Sequence, residues 1–544
     1  MTESDECAAA LVAQLGAQGV REIVVCPGSR SGPLALAAFA SERAGLVRLH
    51  VRVDERGAGF LALGLAKASE RPVAVVTTSG TAAGNLLPAV MEAAHAGAPL
   101  IAVTADRPAS LTGFGANQTT AQAGIFGSFV RWAAQVDSRA QAASWTAQAA
   151  RAALVAQGLL GTLPGPVHLN VHLDLPLVGD APVTLPSVRP RRAAGRTRPD
   201  PLVLVPGPRT VALCGDASPA IGRRVAAMAG RTGTPLIAEP SSNARFGVAL
   251  ATGRVLLDSE LAGEIERVVI FGHPTLSRSV SRLLARDDVE IVVEGSAAGW
   301  PDPGWRATVF ADEVVLPDAD ADWAEGWRVA DIAAQGSSVA AWRLDDQREE
   351  QDDVVVGAVR DPGGLTGLTA ARTLWKSLSG DDVLVVGASN PIRDLDLAPV
   401  GPSSPHVFAN RGLAGIDGTV STALGVALAT GAPTTAYLGD LTFLHDASAL
   451  ALGGDEPRPD LRIVVADDRG GSIFATLEYR RPAFAAAFER MFATPTLARP
   501  AEVARGYGIP VAEVGSSAEL EAALREPVVG LSVLVVRLDR AGRG

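Results

Sequence analysis

The chain has 544 residues, 47% of them apolar and 20% charged, a globular balance that excludes a disordered protein and allows several buried cores. Its net charge of −11 excludes a general nucleic-acid binder, because phosphate binding draws on basic surface, yet leaves room for a local basic pocket that takes a small anion. Cys7, Cys26 and Cys214 are too few and too scattered for a disulfide framework and have no zinc-binding spacing, so they read as buried thiols in a reducing compartment.

The N-terminal segment starts acidic and has no basic stretch ahead of an apolar one, unlike a signal peptide. No uncharged apolar run approaches the roughly 18 residues of a membrane-spanning helix. A cytoplasmic protein is the expectation.

In chain order, residues 22–26 (EIVVC) form a short apolar run that ends in Pro27-Gly28-Ser29-Arg30. Residues 51–53 end a further strand, followed by Asp54-Glu55-Arg56-Gly57, and residues 59–68 have helical length and composition. Residues 73–78 (VAVVTT) lead into Ser79-Gly80-Thr81, and residues 100–104 (LIAVT) into Ala105-Asp106-Arg107-Pro108. Residues 210–214, 268–271 and 291–293 carry the same rhythm through a second block. Residues 383–386, 434–438 and 461–466 carry it through a third. Short buried strands alternating with helices predict an α/β chain of three doubly wound parallel-sheet domains. The boundaries read as a first domain over 1–181, a proline- and arginine-rich linker over 182–208, a central domain over 209–346, a charged linker over 347–365 and a third domain over 366–544.

Open parallel sheets bind ligands at the carboxyl ends of their strands, so the residues just after each run are the candidates for function. The third block places Gly439-Asp440-Leu441-Thr442 after one strand and Asp467-Asp468-Arg469-Gly470-Gly471 after the next but one element. Two carboxylates and a backbone carbonyl suit Mg²⁺, which completes its octahedron with phosphate oxygens and water. A helix starting near Leu441 would turn its positive end to those phosphates. An Asp after a strand is also the ordinary helix N-cap, and a Glu opening a helix, as Glu55 does, is also an ordinary solvated first-turn charge.

The string Gly439-Asp440, followed at the usual interval by a polar pair before Gly-Gly, resembles the signature of thiamine diphosphate (ThDP) enzymes, with Leu441 at the usual third-position glycine and Asp467-Asp468 at the usual asparagine pair. The longer strings are similar to one family, the 2-succinyl-5-enolpyruvyl-6-hydroxy-3-cyclohexene-1-carboxylate (SEPHCHC) synthases of menaquinone biosynthesis. They are CPGSRSGPLA (26–35), VDERGAGF (53–60), TTSGTAAGNLLPAV (77–90), TADRP (104–108), GANQTT (115–120), GASNPIRDLDL (387–397), NRGLAGIDGTVSTALG (410–425), GDLTFLHD (439–446) and GGSIF (470–474). They cover most of the first and third blocks, and the middle block matches loosely.

The resemblance implies a transferase with pyrimidine-binding, central and diphosphate-binding domains in the ThDP enzyme fold. It would decarboxylate 2-oxoglutarate on ThDP and add the resulting succinyl-semialdehyde carbanion to isochorismate, giving SEPHCHC and carbon dioxide. It implies Mg²⁺ or Mn²⁺ held by Asp440, Asp468 and Gly470, and Glu55 as the carboxylate on the aminopyrimidine nitrogen of the cofactor. Contact with the cofactor is implied for Ser79, Gly80, Thr81, Asn85, Ser389, Leu441, Thr442, Ile473 and Phe474, and Ile416 matches the bulky residue that bends it.

Both substrates are dicarboxylates, so the arginines in the strand-end turns, Arg30, Arg107, Arg393 and Arg411, become the anion-binding candidates, with Arg30 and Arg393 closest to the chemistry. Ser29, Asn117, Gln118 and Ser389 add neutral donors, and Phe474 and Leu477 an apolar lining. Each of these has an ordinary alternative, as turn, surface ion pair or core packing. The resemblance also implies a homodimer or dimer of dimers with active sites between subunits. A relative of the flavin-containing acetolactate synthases, or an inactive metabolite-binding paralogue, are the competing readings. No nucleotide-binding G-x-G-x-x-G, P-loop, HExxH or nucleophile-elbow string appears. His273, Trp300 and Trp305 of the middle block read equally well as packing or turn structure.

Overall fold

The structure is a computed structural model that describes residues 1–194, 199–335 and 365–539. Its three large sheets are parallel throughout, with 6, 5 and 6 strands. The first contains β1 (Glu22–Val25), β2 (Arg48–Val51), β3 (Val73–Thr77), β4 (Leu100–Asp106), β5 (Trp132–Asp137) and β6 (Val167–His172) in the order β2-β1-β3-β4-β6-β5. A short pair, β7 (Leu202–Val203) with β13 (Val314–Val315), lies apart. The central sheet orders β8 (Thr210–Cys214), β9 (Leu236–Ala238), β10 (Arg267–Phe271), β11 (Glu290–Glu294) and β12 (Ala307–Ala311) as β12-β11-β10-β8-β9. The third orders β14 (Val383–Val386), β15 (His406–Ala409), β16 (Thr434–Gly439), β17 (Leu461–Asp467), β18 (Val511–Val514) and β19 (Leu531–Arg537) as β15-β14-β16-β17-β19-β18.

Counted from the first strand of each, the first and third sheets have the same order, 2-1-3-4-6-5, and the central one shares its first four places. In each, the second strand lies on one side of the first and the third strand on the other. The chain therefore changes direction beside the first strand and leaves a crevice at the carboxyl ends, the switch point where such sheets take ligands. In the first sheet that crevice lies past β1 and β3, and in the third past β14 and β16.

The expected strands are present, with ends shifted by one or two residues. The strand β2 stops at Val51, two residues early, and leaves Val53 78% exposed in the approach to the next helix, while β4 runs two residues further, to Asp106. The pair β7–β13 falls inside the expected 182–208 linker on its β7 side. The expected 347–365 linker lies outside the described residues except for Leu365. All three cysteines are buried and free.

Two compact units divide the chain, one carrying the first sheet together with Gly412–Ala432 and His445–Asp460, the other the central and third sheets. In the first unit the helix Glu55–Ser69 lies against the helix Thr419–Thr430 at very short range. A Cβ on Gly64 would sit 2.2 Å from the Thr422 carbonyl oxygen, and one on Gly425 2.2 Å from that of Leu61. The two glycines remove the side chains that would hold these backbones apart. Gly418, in the left-handed region at φ 62°, starts the second helix where a Cβ would run into the Phe60 ring.

In the second unit the exposed edge of β15 is closed by one side chain. Asn243 accepts from the Val407 amide at 2.8 Å and donates to the Val407 carbonyl at 2.9 Å, as a neighbouring strand would. Arg245, wholly buried, donates to the carbonyls of Asp396 and Ala398 at 2.8 Å each, and Arg254 pairs with the Asp396 carboxylate at 2.6 Å. Guanidinium groups from the central layer thus satisfy two carbonyls and a carboxylate that a loop under the third sheet would otherwise bury unpaired.

Gly64→Ala should lower the melting temperature, since the added methyl meets backbone that cannot turn aside; overpacking of this kind costs about 1–3 kcal/mol. Gly326→Ala, where a Cβ meets open space inside a helix, should leave it unchanged or raise it. Equal melting temperatures for Gly64→Ala and the unaltered protein would contradict this account of the helix crossing.

Candidate active site

In the first unit, β6 (VHLNVH) sends Val167, Leu169 and Val171 into the apolar core and turns His168, Asn170 and His172 to the other face. Those three meet a polar network beneath the turns after β3 and β4. Thr104 Oγ1 lies 2.7 Å from His168 Nε2 and donates to Asn170 Oδ1 at 2.9 Å. Asn170 donates to Asp106 at 2.9 Å, and Gln122 donates to Asn170 at 2.6 Å and to the Ala105 carbonyl at 3.0 Å.

Upon this network rests the loop that presents the sequence-predicted residues. The Gly80 amide donates to Gln122 at 3.1 Å, the Ser79 hydroxyl to the Gln118 carbonyl at 2.9 Å, and the Gln118 side chain to the Ser79 carbonyl at 3.0 Å. Arg107 donates to the Ser79 hydroxyl and the Gln118 carbonyl, both at 3.1 Å. Gly80 at φ 79° and Gln118 at φ 58° are both in the left-handed region, and a Cβ on Gly80 would press on the Gln118 side chain at 3.1 Å.

Arg30 donates to the Leu173 carbonyl at 2.8 Å. Burial and the like charge of Arg107 lower its guanidinium from the ordinary value, while Asp174 and Asp106 pull the other way. Arg30, Arg107, Ser79 and Gln118 are therefore gathered at one end of the sheet. Asn117 lies exposed on the same loop.

Glu55 occupies the first position of its helix behind Asp54, the N-cap, whose carboxylate accepts from the Arg56 amide at 3.0 Å and from the Ser448 hydroxyl at 2.6 Å. The capping role thus falls to Asp54 and leaves the Glu55 carboxylate free for other work; Asn85 donates to it at 3.4 Å. Ile416, from the third block, also belongs to this unit and is half-buried just before the helix Thr419–Thr430.

In the second unit the β16 and β17 ends meet. Asp440 is buried and accepts from its neighbour Leu441 and from the Gly470 amide, each at 2.7 Å. Burial, then the negative charge of Asp468, pushes the Asp440 carboxyl up to about 7. Asp468 is buried too and accepts from Ser472, which accepts from Asn390 at 2.7 Å. Two desolvated carboxylates close enough to oppose each other's ionisation form a site that a cation would relieve. Among the described residues no cluster of three or more His, Cys, Asp or Glu side chains is placed to hold a metal, so a cation here would need carbonyl, phosphate or water oxygens besides.

Gly470 enters this pocket through its amide, while its carbonyl already accepts from Ser472 at 2.9 Å. Its φ of 135°, with a Cβ position 2.2 Å from the Ala493 carbonyl, makes it a place for glycine alone. The helix expected near Leu441 starts at Asp440 and runs only to His445, so it carries little dipole. Thr442 is buried within it.

Ser389 adopts φ 73° ahead of the helix Asn390–Leu395, and Arg393 donates to its carbonyl at 3.1 Å. Arg411 is buried after β15. The stretch after Gly-Gly is a 3₁₀ turn, Ser472–Thr476, with Ile473, Phe474 and Leu477 half-buried. Phe474 packs there against Tyr479 and Phe492, at ring separations of 6.2 and 5.8 Å.

Several supporting residues escaped the reading of the sequence. Gln122 and Asn170 hold the first-unit loop, and Asn390 and Ser472 hold Asp468. Asn390 and Ser472 sit inside two of the long strings, which was the available signal; Gln122 and Asn170 had none, because their partners are distant in the chain. Trp305 stands in a turn, and His273 pairs by backbone with Asp216.

Comparison with known proteins adds to this geometry. The family model described as thiamine pyrophosphate enzyme, N-terminal TPP binding domain, matches residues 5–125, and that of the C-terminal TPP binding domain matches residues 398–536. A solved benzoylformate decarboxylase from Polynucleobacter necessarius superimposes with a TM-score of 0.67 over 99% of each chain at 18% identity, which bears on the fold alone. Parallel sheets with carboxylates at their switch points, together with both domains, define a thiamine diphosphate-dependent enzyme.

Among curated proteins, the SEPHCHC synthase of Kineococcus radiotolerans is 48% identical over 99% of this chain and 97% of its own length. Those of a Nocardioides species and of Rhodococcus erythropolis are 48% and 40% identical, over 97% and 100% of this chain and 94% and 98% of their own. The chain belongs to the 2-succinyl-5-enolpyruvyl-6-hydroxy-3-cyclohexene-1-carboxylate synthase family.

Burial lowers the His168 imidazole to about 4 from an ordinary 6.5. The folded protein therefore favours the neutral ring, and stability that is complete above 6.5 drains away as the pH falls toward 4. Melting temperatures taken at about pH 7.5 and about pH 5 should show a smaller acid loss for His168→Gln than for the unaltered protein. Identical losses would remove His168 from the account.

Proposed function

We propose that the protein makes SEPHCHC from 2-oxoglutarate and isochorismate, with release of carbon dioxide, as a step of menaquinone biosynthesis. The observation that carries the reading is identity to SEPHCHC synthases along the whole chain. A Glu free of capping duty and a buried carboxylate pair at a sheet switch point agree with it. When bound, thiamine diphosphate supplies the electron sink that decarboxylation of a 2-oxo acid requires.

In this reading Glu55 holds a proton at the pyrimidine nitrogen of the cofactor, beside Ser79, Gly80, Thr81 and Asn85. Asp440, Asp468 and the Gly470 carbonyl hold Mg²⁺ or Mn²⁺. Leu441 and Thr442 line the diphosphate, and Ile416, Ser389, Ile473 and Phe474 the rest of the cofactor. The four arginines bind substrate carboxylates. Arg30 and Arg107 are held at their posts by Leu173, Ser79 and Gln118, so little conformational freedom remains to be lost when an acid arrives. Ser29, Asn117, Gln118 and Ser389 add neutral donors. Phe474 and Leu477 exclude water from the reacting carbon.

A homodimer or dimer of dimers acting in the cytoplasm goes with the assignment. Among the described residues no helix is long and apolar enough to cross a membrane.

The direct test is carbon dioxide release from 2-oxoglutarate with ThDP and Mg²⁺, with and without isochorismate. Product formation should require both acids. Glu55→Gln should keep cofactor affinity while turnover falls by about 100-fold or more, the usual contribution of a placed proton-transfer group. Near-normal turnover in that variant would overturn the role of Glu55. Asp440→Asn and Asp468→Asn should each weaken the Mg²⁺-dependent binding of ThDP, followed by tryptophan fluorescence. Metal dependence equal to that of the unaltered protein would move the metal elsewhere.

A further inference from the structure

Glu239 is a buried carboxylate with no part in the site described so far. It follows β9 in the central layer, and its Oε1 accepts from the amides of Thr275 and Leu276 at 3.0 and 2.9 Å, in the turn after β10. Its Oε2 has no partner among the described residues. Thr275 faces the third sheet, where its hydroxyl oxygen accepts from Arg411 Nε at 3.1 Å and Nη2 at 2.7 Å, and its carbonyl from Nη2 at 3.2 Å.

One whole edge of the Arg411 guanidinium, Nε and Nη2, is thereby fixed, and Nη1 takes no part in these contacts. Burial pushes the Glu239 carboxyl up to about 7 against the pull of the Arg411 charge, which places the two groups within electrostatic reach of each other.

We propose that Glu239, acting through Thr275, is a positioning residue that fixes the orientation of Arg411 before substrate binds. The inference rests on the reading of Arg411 as a substrate-carboxylate ligand, made above. An arginine has many rotamers, and one already held along its Nε–Nη2 edge offers its remaining N–H groups to an incoming carboxylate at little further entropic loss. Thr275 can hold that edge only where its own backbone is held, and the two amides on Glu239 do so. The third sheet would thus take the aim of one binding group from the central layer.

The test uses the full-length enzyme with ThDP and Mg²⁺ and follows KM for each acid, kcat and ThDP affinity. Thr275→Val removes the hydroxyl at constant shape, Thr275→Ser keeps it, Glu239→Gln removes the charge, and Arg411→Ala marks the acid that Arg411 holds. Thr275→Val and Glu239→Gln should raise KM for that same acid by about tenfold, with a much smaller fall in kcat and unchanged ThDP affinity, as expected when one charge-assisted contact is loosened. Thr275→Ser should restore the original KM.

If Arg411→Ala raises one KM and Thr275→Val raises neither, the positioning role is overturned and the substrate role of Arg411 stands. If Arg411→Ala leaves both KM values unchanged, the substrate role falls and the positioning role with it. A loss of ThDP affinity in Thr275→Val parallel to its loss of activity would make the contact merely structural and overturn the proposal. Should Glu239→Gln fail to fold, the Thr275 pair decides alone.

Discussion

The constraint on which the molecule depends is the reversal of strand order beside the first strand of each parallel sheet. Parallel strands need crossovers, and crossovers cover both faces, so most of each central strand is buried and only its ends can carry chemistry. A sheet wound in one direction only would carry all its crossovers on one face and open no such crevice. Winding outward both ways from β1 and from β14 opens a crevice at each start. Into it come the turns after β1 and β3 in one sheet, with Arg30, Ser79 and Gly80, and those after β14 and β16 in the other, with Ser389 and Asp440. The same order in both sheets gives a neutral-to-basic crevice in one case and an acidic one in the other, by side-chain choice alone.

Buried charge is the second theme. Apolar packing of the two sheets in the second unit would leave loop carbonyls and the Asp396 carboxylate of the third domain unpaired; Arg245 reaches across to the carbonyls and Arg254 to the carboxylate. Asn243 ends an open sheet edge in the same way. Such contacts are costly to leave half-made, because each lone partner would stay desolvated. Directional contacts of this kind tie the central layer to the third, the same two layers that the Glu239, Thr275 and Arg411 contacts connect. The Asp440–Asp468 pair is the opposite case: like charges brought together in a buried place, a strain that a bound divalent ion would relieve.

Legibility in the sequence followed the apolar runs. The core strands β1, β3, β4, β8 and β14 are mostly valine, isoleucine, leucine and alanine, with polar residues near their ends, and the turns after them stand out by contrast. β6 is as deeply buried as these yet was not read, because His168, Asn170 and His172 break the run; they are tolerated inside only because Thr104, Asp106 and Gln122 pair with them. The 3₁₀ turn after Gly-Gly starts where Gly470 and Gly471 approach the backbone of residues 492–493 closely, a long-range contact with no local sequence signal.

By itself, then, the sequence determined the fold class, the alternation of strand and helix, and the strand-end residues that carry the family's strings. These depend on neighbours a few positions apart, and local periodicity records them. The tertiary structure alone decided which of two adjacent acids caps a helix, leaving Glu55 free and Asp54 occupied. It alone paired Asp440 with Asp468 inside a dry pocket and put Glu239, Thr275 and Arg411 in one line. Apart from the Asp54 cap, whose amide partners are two and three residues away, those facts rest on groups tens to hundreds of residues apart, whose ionisation and orientation are set by burial, and burial is a property of the packed chain.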